Sequence, residues 1–253
     1  MSGLYALLAF GIAGWVFSLY RHNVTHVDSM WSLFFVIAGL VYMNQMDSVT
    51  ERSLILLTLV ILWALRLFAY LTWRNWGPHE DHRYVEIRRN NSPNFAFKSI
   101  YIIFGFQAVL AWVISLPILG AITSAASINA LDFIGITLIS CGLVWETMAD
   151  WQLTAFKRNR TNSNKVLNTG LWRYSRHPNY FGECIVWWGF YLVALAGGAW
   201  WAILSPILMT LLLLKVSGVA LLEKNIAERR PEYVAYIRST NAFIPGKPKE
   251  ING

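Results

Sequence analysis

Seven runs of apolar residues constrain this sequence more than any other feature. They cover residues 3–20, 30–46, 53–73, 99–122, 131–154, 181–198 and 200–222. A helix needs about 20 apolar residues to cross ~30 Å of hydrocarbon, and it satisfies its backbone hydrogen bonds within its own segment. The pattern therefore predicts an all-α integral membrane protein, a polytopic bundle of seven transmembrane helices. Because the spans use most of the 253 residues, we expect one membrane-embedded domain over residues 1–253.

The basic residues indicate the orientation of the helices. They concentrate after the first, third and fifth runs and in the C-terminal segment, whereas the opposite connections hold essentially Arg52. Positively charged connections stay cytoplasmic, so we expect an outside N-terminus and a cytoplasmic C-terminus. The first run lacks a basic segment before it and a clear cleavage site, which favours a span over a removable signal peptide. The low cysteine count and compact loops favour a bacterial inner membrane, with the active site open to the cytoplasm.

Charge and metal-ligand spacing argue against several other classes of function. The net charge is +7, and the basic residues that produce it lie between the apolar runs. Lipid headgroups and the membrane topology account for basic residues at these places, so we expect no nucleic-acid partner. Cys141 and Cys184 form no paired motif. His22 and His26 have a spacing that suits a metal, but no third ligand is obvious nearby, so histidines at a membrane edge are favoured over a zinc site. We expect no metal and a monomer.

Ionised residues within the apolar runs need an explanation, because a charge at membrane depth is costly. Arg66 and Tyr70 lie four residues apart on one helical face, and Glu146 and Asp150 do the same in the fifth run. An ion pair between Arg66 and these carboxylates is one explanation, and hydrogen bonds to a polar ligand are the other. Asp28 begins the second run and suits proton donation or binding of a polar substrate group.

Two polar segments are candidate functional sites. The segment LNTGLWRYSRHPNYFGE, residues 167–183, lies between two apolar runs and carries Arg173, Arg176, His177, Asn179 and Glu183. The segment from Gly77 to Arg89 combines Asp81, Arg83 and Tyr84 in a loop between spans, where they suit contacts with a nucleotide.

The sequence resembles one known superfamily. The run Arg176-His177-Pro178-Asn179-Tyr180-Phe181-Gly182-Glu183, the later Glu223 and the tail RRPEYVAYIRSTNAFIPGKP are similar to the C-terminal half of the steroid 5-alpha-reductase and sterol-reductase superfamily. The whole chain resembles its small bacterial integral-membrane members of uncharacterised substrate, most sharply from Glu146 to Pro245. Isoprenylcysteine and phosphatidylethanolamine methyltransferases share the arginine-histidine-proline turn, but Asn179 and Glu183 favour the reductases.

This resemblance implies an NADPH site between the helices and the cytoplasmic loops. It makes residues 123–253 the cofactor-binding half and residues 1–122 the substrate-side helices. Lys157 stands where the reductases carry an arginine suited to a phosphate. The residues expected to contact NADPH are Arg66, Tyr70, Arg83, Glu146, Asp150, Lys157, Lys165, Arg173, Tyr174, Arg176, His177, Asn179, Tyr180, Glu183, Glu223 and Tyr236.

The resemblance implies an NADPH-dependent oxidoreductase acting on CH–CH groups. It would reduce a carbon–carbon double bond in a lipophilic enone, similar to a 3-oxo-4-ene steroid, within the membrane. The steroid reductases polarise the ketone with a glutamine-glutamate pair and a tyrosine, where this chain has Asp28-Ser29 and Trp63. We expect Asp28 to be the acid that protonates or stabilises the enolate oxygen, with Tyr70 and Tyr84 as further candidates.

Two alternatives belong to other classes. An S-adenosylmethionine-dependent lipid or isoprenylcysteine-type methyltransferase would use Arg176, His177 and Glu223 around that cofactor. A lipid-binding or scaffold membrane protein would show no turnover.

Overall fold

A computed structural model of the chain describes residues 1–162, 165–216, 218–219, 223 and 232–249, without the side chain of Arg160. These residues form helices and turns, with no strand among them. The helices are α1 Ser2–Arg21, α2 Val27–Met43, α3 Glu51–Asn75, α4 His82–Asn90, α5 Phe95–Ile114, α6 Leu116–Ile122, α7 Ala130–Arg158, α8 Pro178–Ala196, α9 Trp200–Val216 and α10 Tyr233–Ser239. Short 3-10 turns lie at Arg160–Asn162 and Gly170–Arg173.

Four of the helices in the described part of the chain are long and apolar enough to cross a membrane, namely α1, α3, α5 and α7. Two shorter apolar helices are α2 and α9. In α8, the polar residues Asn179 and Glu183 lie in the first two turns, ahead of an apolar stretch. The helical class and the membrane-protein character of the chain agree with the sequence analysis. Seven spans and their orientation stay predictions.

The fourth apolar run is divided in the structure. Helix α5 ends at Ile114 and α6 begins at Leu116, with Ser115 between them and Pro117 in the first turn of α6. Proline has no N–H to donate, and its ring clashes with the carbonyl group four residues earlier in a continuous helix. Helix α5 also widens to a π-helical turn over Ile100–Gly105.

The chain forms two compact units, which we call unit 1 and unit 2. Unit 1 contains Met1–Asp132 and Val193–Ser205, and unit 2 contains Phe133–Leu192 and Pro206–Gly253. In unit 1, α1 lies against α2 and α5 at glycines. A Cβ on Gly14 would lie 2.3 Å from the Met30 side chain, and one on Gly11 would lie 3.1 Å from the Phe104 carbonyl oxygen. The absence of side chains at these glycines therefore permits the close packing of α1.

Unit 1 also contains a buried ion pair at the start of α3. Arg52 Nε and Nη2 donate to the two carboxylate oxygens of Asp132, at 2.7 and 2.8 Å. The same guanidinium donates to Ser124 Oγ and to the carbonyl oxygens of Ala126 and Ser127. The side chains of Arg52 and Asp132 are 1% and 2% exposed. This arginine, which the sequence marks only as a topology signal, ties α3 to the first turn of α7 and to the segment just before it.

In unit 2, glycines bring α7 and α8 into direct contact. A Cβ on Gly142 would lie 2.8 Å from the carbonyl oxygen of Gly182, and one on Gly182 would lie 2.8 Å from the backbone nitrogen of Glu146. Along α8, Trp188 Nε1 donates to Thr210 Oγ1 of α9 at 3.2 Å. The chain turns between these helices at Gly197 and Gly198, which belong to the part of the chain assigned to unit 1, and Gly198 has a φ of +89° that favours glycine. The tight helical hairpin expected at these glycines is present.

Candidate functional sites

Unit 1 contains a cavity of about 360 Å³ between α1, α2 and α3. Its apolar wall includes Phe10, Phe17, Met30, Leu33 and Phe68. Its polar lining includes Arg21, Asn23, Thr25, His26, Thr72 and Asn75. These polar residues belong to the α1–α2 connection and to the C-terminal end of α3. A mostly apolar cavity of this volume with a few polar groups is typical of a small-molecule site.

Arg21 is the ionised residue at the polar end of this cavity. Its guanidinium carbon lies 4.9 Å from the ring centroid of Trp76 and 6.0 Å from that of Phe17. Its Nη2 donates to the carbonyl oxygen of Gly77 at 3.0 Å. The two rings and one hydrogen bond hold the cation in place at the cavity.

His26 forms part of the cavity wall, while His22 is exposed. The Nε2–H of His26 donates to the carbonyl oxygen of Gly14 at 3.0 Å, and its ring packs edge-on against Phe17 at 4.9 Å. Burial lowers the pKa of His26, although its backbone hydrogen bonds act in the opposite direction. The imidazole is therefore neutral at neutral pH. The interpretation of this pair as surface histidines is wrong for His26.

Three sequence-predicted residues meet at the start of α2. Tyr84 Oη donates to Asp28 Oδ1, and Arg83 Nη2 donates to Asp28 Oδ2, both at 2.5 Å. Burial opposes the charged form of Arg83, but Asp28 and Asp81 outweigh it and raise the pKa of Arg83. Burial and the negative charge of Asp28 raise the pKa of Tyr84 well above its usual value. Asp28 thus accepts a hydrogen bond on each oxygen, and the raised pKa of Tyr84 keeps its phenol protonated.

A second set of hydrogen bonds ties the α3–α4 connection to the α1–α2 connection. Glu80 accepts from the Val24 N–H at 2.9 Å and from Arg88 Nε and Nη2 at 2.8 Å each. The Asp81 N–H donates to Thr25 Oγ1 at 2.9 Å. Burial favours the protonated form of Glu80, but the bonds from Arg88 and Val24 prevail and lower its pKa. This connection is therefore fixed beside the polar end of the cavity.

Arg66 and Tyr70 are half-buried on α3 of unit 1. The Tyr70 ring contacts residues of its own helix: Trp73, with ring centroids 6.5 Å apart, and the Arg74 guanidinium at 5.5 Å. A catalytic role for Tyr70 and a cofactor contact for Arg66 stay predictions.

The Arg-His-Pro turn of unit 2 forms a charged cluster with Glu223. Arg176 Nε and Nη2 donate to the two oxygens of Glu223 at 2.7 and 2.8 Å, and His177 Nε2 donates to Oε1 at 2.9 Å. Burial opposes ionisation of Glu223, but these hydrogen bonds prevail and lower its pKa to about 2. Arg176 Nη1 also donates to the carbonyl oxygens of Ile237 and Thr240. The guanidinium therefore joins the turn, Glu223 and α10.

The C-terminal segment packs on the same turn. The Arg176 N–H donates to the Asn241 carbonyl at 2.9 Å, and the Gly246 N–H donates to the Tyr174 carbonyl at 3.0 Å. Tyr236 Oη donates to the Trp172 carbonyl. Tyr236 is thus a buried structural contact of the 3-10 turn.

A second group of predicted residues lies where α7 meets α8. Asn179 Nδ2 donates to Asp150 Oδ1 at 3.3 Å. Glu146, Asp150 and Glu183 are all buried, at 2%, 5% and 8% exposure. Because Gly182 packs on the backbone of Glu146, these carboxylates and the amide lie along adjoining helical segments. They provide hydrogen-bond acceptors and donors of the types that suit a carboxamide and sugar hydroxyls.

The other predicted cofactor residues lie around this group. Tyr180 stacks on the His177 ring with centroids 5.7 Å apart. Four of the remaining predicted residues are exposed, namely Lys157, Lys165, Arg173 and Tyr174. No group of three His, Cys, Asp or Glu residues suited to a metal occurs in the described part of the chain.

Sequence reasoning missed Arg21, Thr72 and Asn75 as cavity residues. The signal was present in α3, where Phe68, Thr72 and Asn75 lie at helical spacing on one face. Polar residues at the end of an apolar helix are common at a membrane interface, however. Only the cavity in the structure distinguishes Thr72 and Asn75 from ordinary interfacial residues.

Comparison with known proteins gives one family. The model described as "Protein of unknown function (DUF1295)" matches residues 14–240. An uncharacterized protein of Schizosaccharomyces pombe is 28% identical over 285 residues, covering 96% of this chain and 78% of the relative. No solved structure matches the chain.

Proposed function

We propose that this chain, which belongs to the DUF1295 family of proteins of unknown function, catalyses the NADPH-dependent reduction of a carbon–carbon double bond in a lipophilic enone within the membrane. The cofactor would supply the hydride for the β-carbon of the enone. The residues of the chain would bind and orient both molecules, exclude water and hold the proton.

The observation that carries the proposal is the group Glu146, Asp150, Asn179 and Glu183 at the contact between α7 and α8. Three buried carboxylates on these helices offer several hydrogen-bond acceptors, and the amide beside them adds both a donor and an acceptor. Ribose hydroxyls and a carboxamide are polar, uncharged groups that can donate to such carboxylates. Asn179 and Glu183 also distinguish the reductase form of this segment from the methyltransferase form.

Exposed cations suited to phosphates occur in the same unit. Lys157, Lys165 and Arg173 are exposed, and flexible or forked cations bind phosphate oxygens well. Arg176 fits such a role less well, because its guanidinium already makes four hydrogen bonds within unit 2. We therefore assign the phosphates to the exposed cations and assign Arg176 to positioning the C-terminal segment.

The substrate side of the proposal rests on unit 1. Its cavity has a mostly apolar wall, which suits a lipophilic molecule and excludes water. Near its polar end, Tyr84 donates a hydrogen bond to one oxygen of Asp28, and Arg83 donates to the other. This pair is our candidate for the acid that would protonate the enolate, and a well-placed acid contributes ~10²–10⁴ in rate.

The proposal includes seven spans, an outside N-terminus and a site open to the cytoplasm of a bacterial inner membrane. It is supported by the helices that occupy the apolar runs and by the cations that follow the first, third and fifth runs. In the sequence, the cations that follow the third and fifth runs lie in or next to the two polar segments, where a soluble anionic cofactor would arrive.

Thermal denaturation of the purified protein with each cofactor tests the proposal. A saturating ligand at about 100 times its Kd stabilises the folded state by about 2.7 kcal/mol, which raises Tm by roughly 5–10 °C for a chain of this size. We expect this shift with NADPH and none with S-adenosylmethionine. A shift with S-adenosylmethionine alone would establish the methyltransferase and reject the reductase.

Two variants test whether the polar group at the contact between α7 and α8 binds the cofactor. Glu183→Gln keeps the shape of the side chain but removes its charge, and Asn179→Ala removes the amide. Both should reduce the NADPH-induced shift and slow the oxidation of NADPH by an enone, because they remove hydrogen bonds to the cofactor. The exposed Arg89→Gln on α4 is the control that should change neither. If both variants respond to NADPH like the unchanged protein, the α7–α8 group is not the cofactor site.

A further inference from the structure

We propose that the cavity of unit 1 binds an amphiphile with an oxyanion headgroup. The apolar body of the ligand would fill the space between α1, α2 and α3, and its carboxylate or phosphate oxygens would bind at Arg21. Binding stands independently, and only the use of this ligand as a substrate rests on the proposed function.

The distribution of polarity along the cavity indicates an amphiphile. Phe10, Met30, Leu33 and Phe68 face the cavity from within the helices. Most of the polar residues instead come from the α1–α2 connection and from the last turn of α3, where the helices end, with Ser29 in the first turn of α2. A ligand that satisfies both parts needs an apolar body and one polar end, because burying a polar group against the apolar wall would be unfavourable.

The charge at the polar end indicates an anion. Arg21 contributes a full positive charge to the cavity, and the lining residues described here include no aspartate or glutamate. The carboxylates of the neighbouring connections are bound elsewhere: Asp28 and Asp81 by Arg83, and Glu80 by Arg88. The positive charge of Arg21 is therefore not matched by a carboxylate in the cavity wall.

The hydrogen-bonding capacity of Arg21 also indicates an anionic ligand. Its guanidinium has five N–H donors, and within the described part of the chain it makes one hydrogen bond, to the Gly77 carbonyl. The Phe17 and Trp76 rings hold the group without using its donors. The forked geometry of guanidinium suits two oxygens of one carboxylate or phosphate.

Thr72 and Asn75 supply further donors at the same end. Arg74 Nε donates to Asn75 Oδ1 at 3.0 Å, and since guanidinium only donates, the amide oxygen must face Arg74. This orientation leaves Nδ2 as the other polar atom of Asn75. Asn75 Nδ2 and Thr72 Oγ1 are buried and have no hydrogen-bond partner among the described residues. Buried polar atoms without partners are unfavourable, and an oxygen-rich headgroup would accept hydrogen bonds from both.

Isothermal titration calorimetry tests the inference on the full chain in amphipol, without nucleotide. The probes are dodecanoate, dodecyl phosphate and dodecanol, which share a tail and differ in the headgroup. We expect both oxyanion probes to bind at least about tenfold more tightly than dodecanol, as charge-assisted hydrogen bonds provide this much. Either order of carboxylate and phosphate supports the proposal and identifies the preferred headgroup. Equal or tighter binding of dodecanol would overturn it, as would no saturable binding of any probe.

Matched variants locate the headgroup. Arg21→Gln should weaken both oxyanion probes by about tenfold or more, whereas Arg21→Lys, which keeps the charge, should retain most of the preference. Asn75→Asp has the same shape but replaces a donor by a negative acceptor, so it should also weaken them. The control Arg89→Gln removes an exposed charge from α4 and should change binding by less than about twofold.

The outcomes separate this inference from the proposed function. If Arg21→Gln or Asn75→Asp binds the oxyanions as tightly as the unchanged protein, or if Arg89→Gln weakens them equally, the site is not at Arg21. Failure to oxidise NADPH would refute the reductase while leaving the binding result intact.

Discussion

The Arg52–Asp132 ion pair gives the sharpest prediction for stability. Both side chains are almost fully buried, and the guanidinium makes five hydrogen bonds, two of them to Asp132. Arg52→Gln leaves the Asp132 carboxylate buried without its cation, although in the described structure the Asn129 N–H still donates to its Oδ2. Breaking a buried pair by removing one partner costs about 3–5 kcal/mol. At roughly 2–4 °C per kcal/mol for a chain of this size, Tm should fall by about 6–20 °C.

Thermal denaturation followed by intrinsic tryptophan fluorescence measures this change. The double variant Arg52→Met/Asp132→Leu removes both charges and fills the space with apolar atoms, so it should recover much of the lost Tm. Arg89→Gln, an exposed arginine, should shift Tm by less than about 2 °C. An Arg52→Gln variant within about 2 °C of the unchanged protein would refute the reasoning, because the pair would then contribute no net stability.

Three other predictions concern the two units. Tyr84→Phe removes the donor to Asp28 and should slow enone reduction by ~10²–10⁴ while keeping the NADPH-induced Tm shift; near-normal turnover would exclude Tyr84 as the acid. The pKa of Glu223 in the folded chain, about 2, lies below its ordinary 4.5, so its ionised form stabilises the fold above pH 4.5 and this contribution is lost as the pH falls towards 2. Glu223→Gln should therefore lower Tm at neutral pH and reduce the fall of Tm between pH 4.5 and pH 2. Thermal denaturation at several pH values measures this, and an unchanged fall of Tm with pH would contradict it. Gly182→Ala should lower Tm, since its Cβ would meet α7 backbone at 2.8 Å, whereas Gly77→Ala, with nothing within 4 Å, should not; equal shifts would show that helix contact is not the cause.

Several parts of the candidate sites could be predicted from the sequence. Asp28, Arg83 and Tyr84 were selected as polar residues at the edges of apolar runs, and the structure places them in hydrogen-bond contact. Arg176 and Glu223 were selected from a resemblance, and they form an ion pair. What the resemblance could not show is that the remaining donors of Arg176 bind backbone carbonyls in and after α10, which makes it a structural contact.

Other roles required the structure. Arg21 and His26 look like residues at the end of a first span, and nothing local shows that they line a cavity. Arg52 looks like an isolated cation, although its partner Asp132 lies 80 positions later in the sequence. Each role depends on a residue from another helix, and a single sequence carries no signal for such a pairing.

The sequence by itself determined that this chain is helical and belongs in a membrane, because helix formation and transfer into hydrocarbon depend on short continuous runs of residues. The tertiary structure decided which polar groups neutralise one another and which face a cavity. Those outcomes depend on packing between distant segments, where glycines such as Gly14 and Gly182 set the approach of the helices. The distance between the helices decides whether a buried charge is paired with another residue or can bind a ligand. The residue type alone does not specify which of these happens.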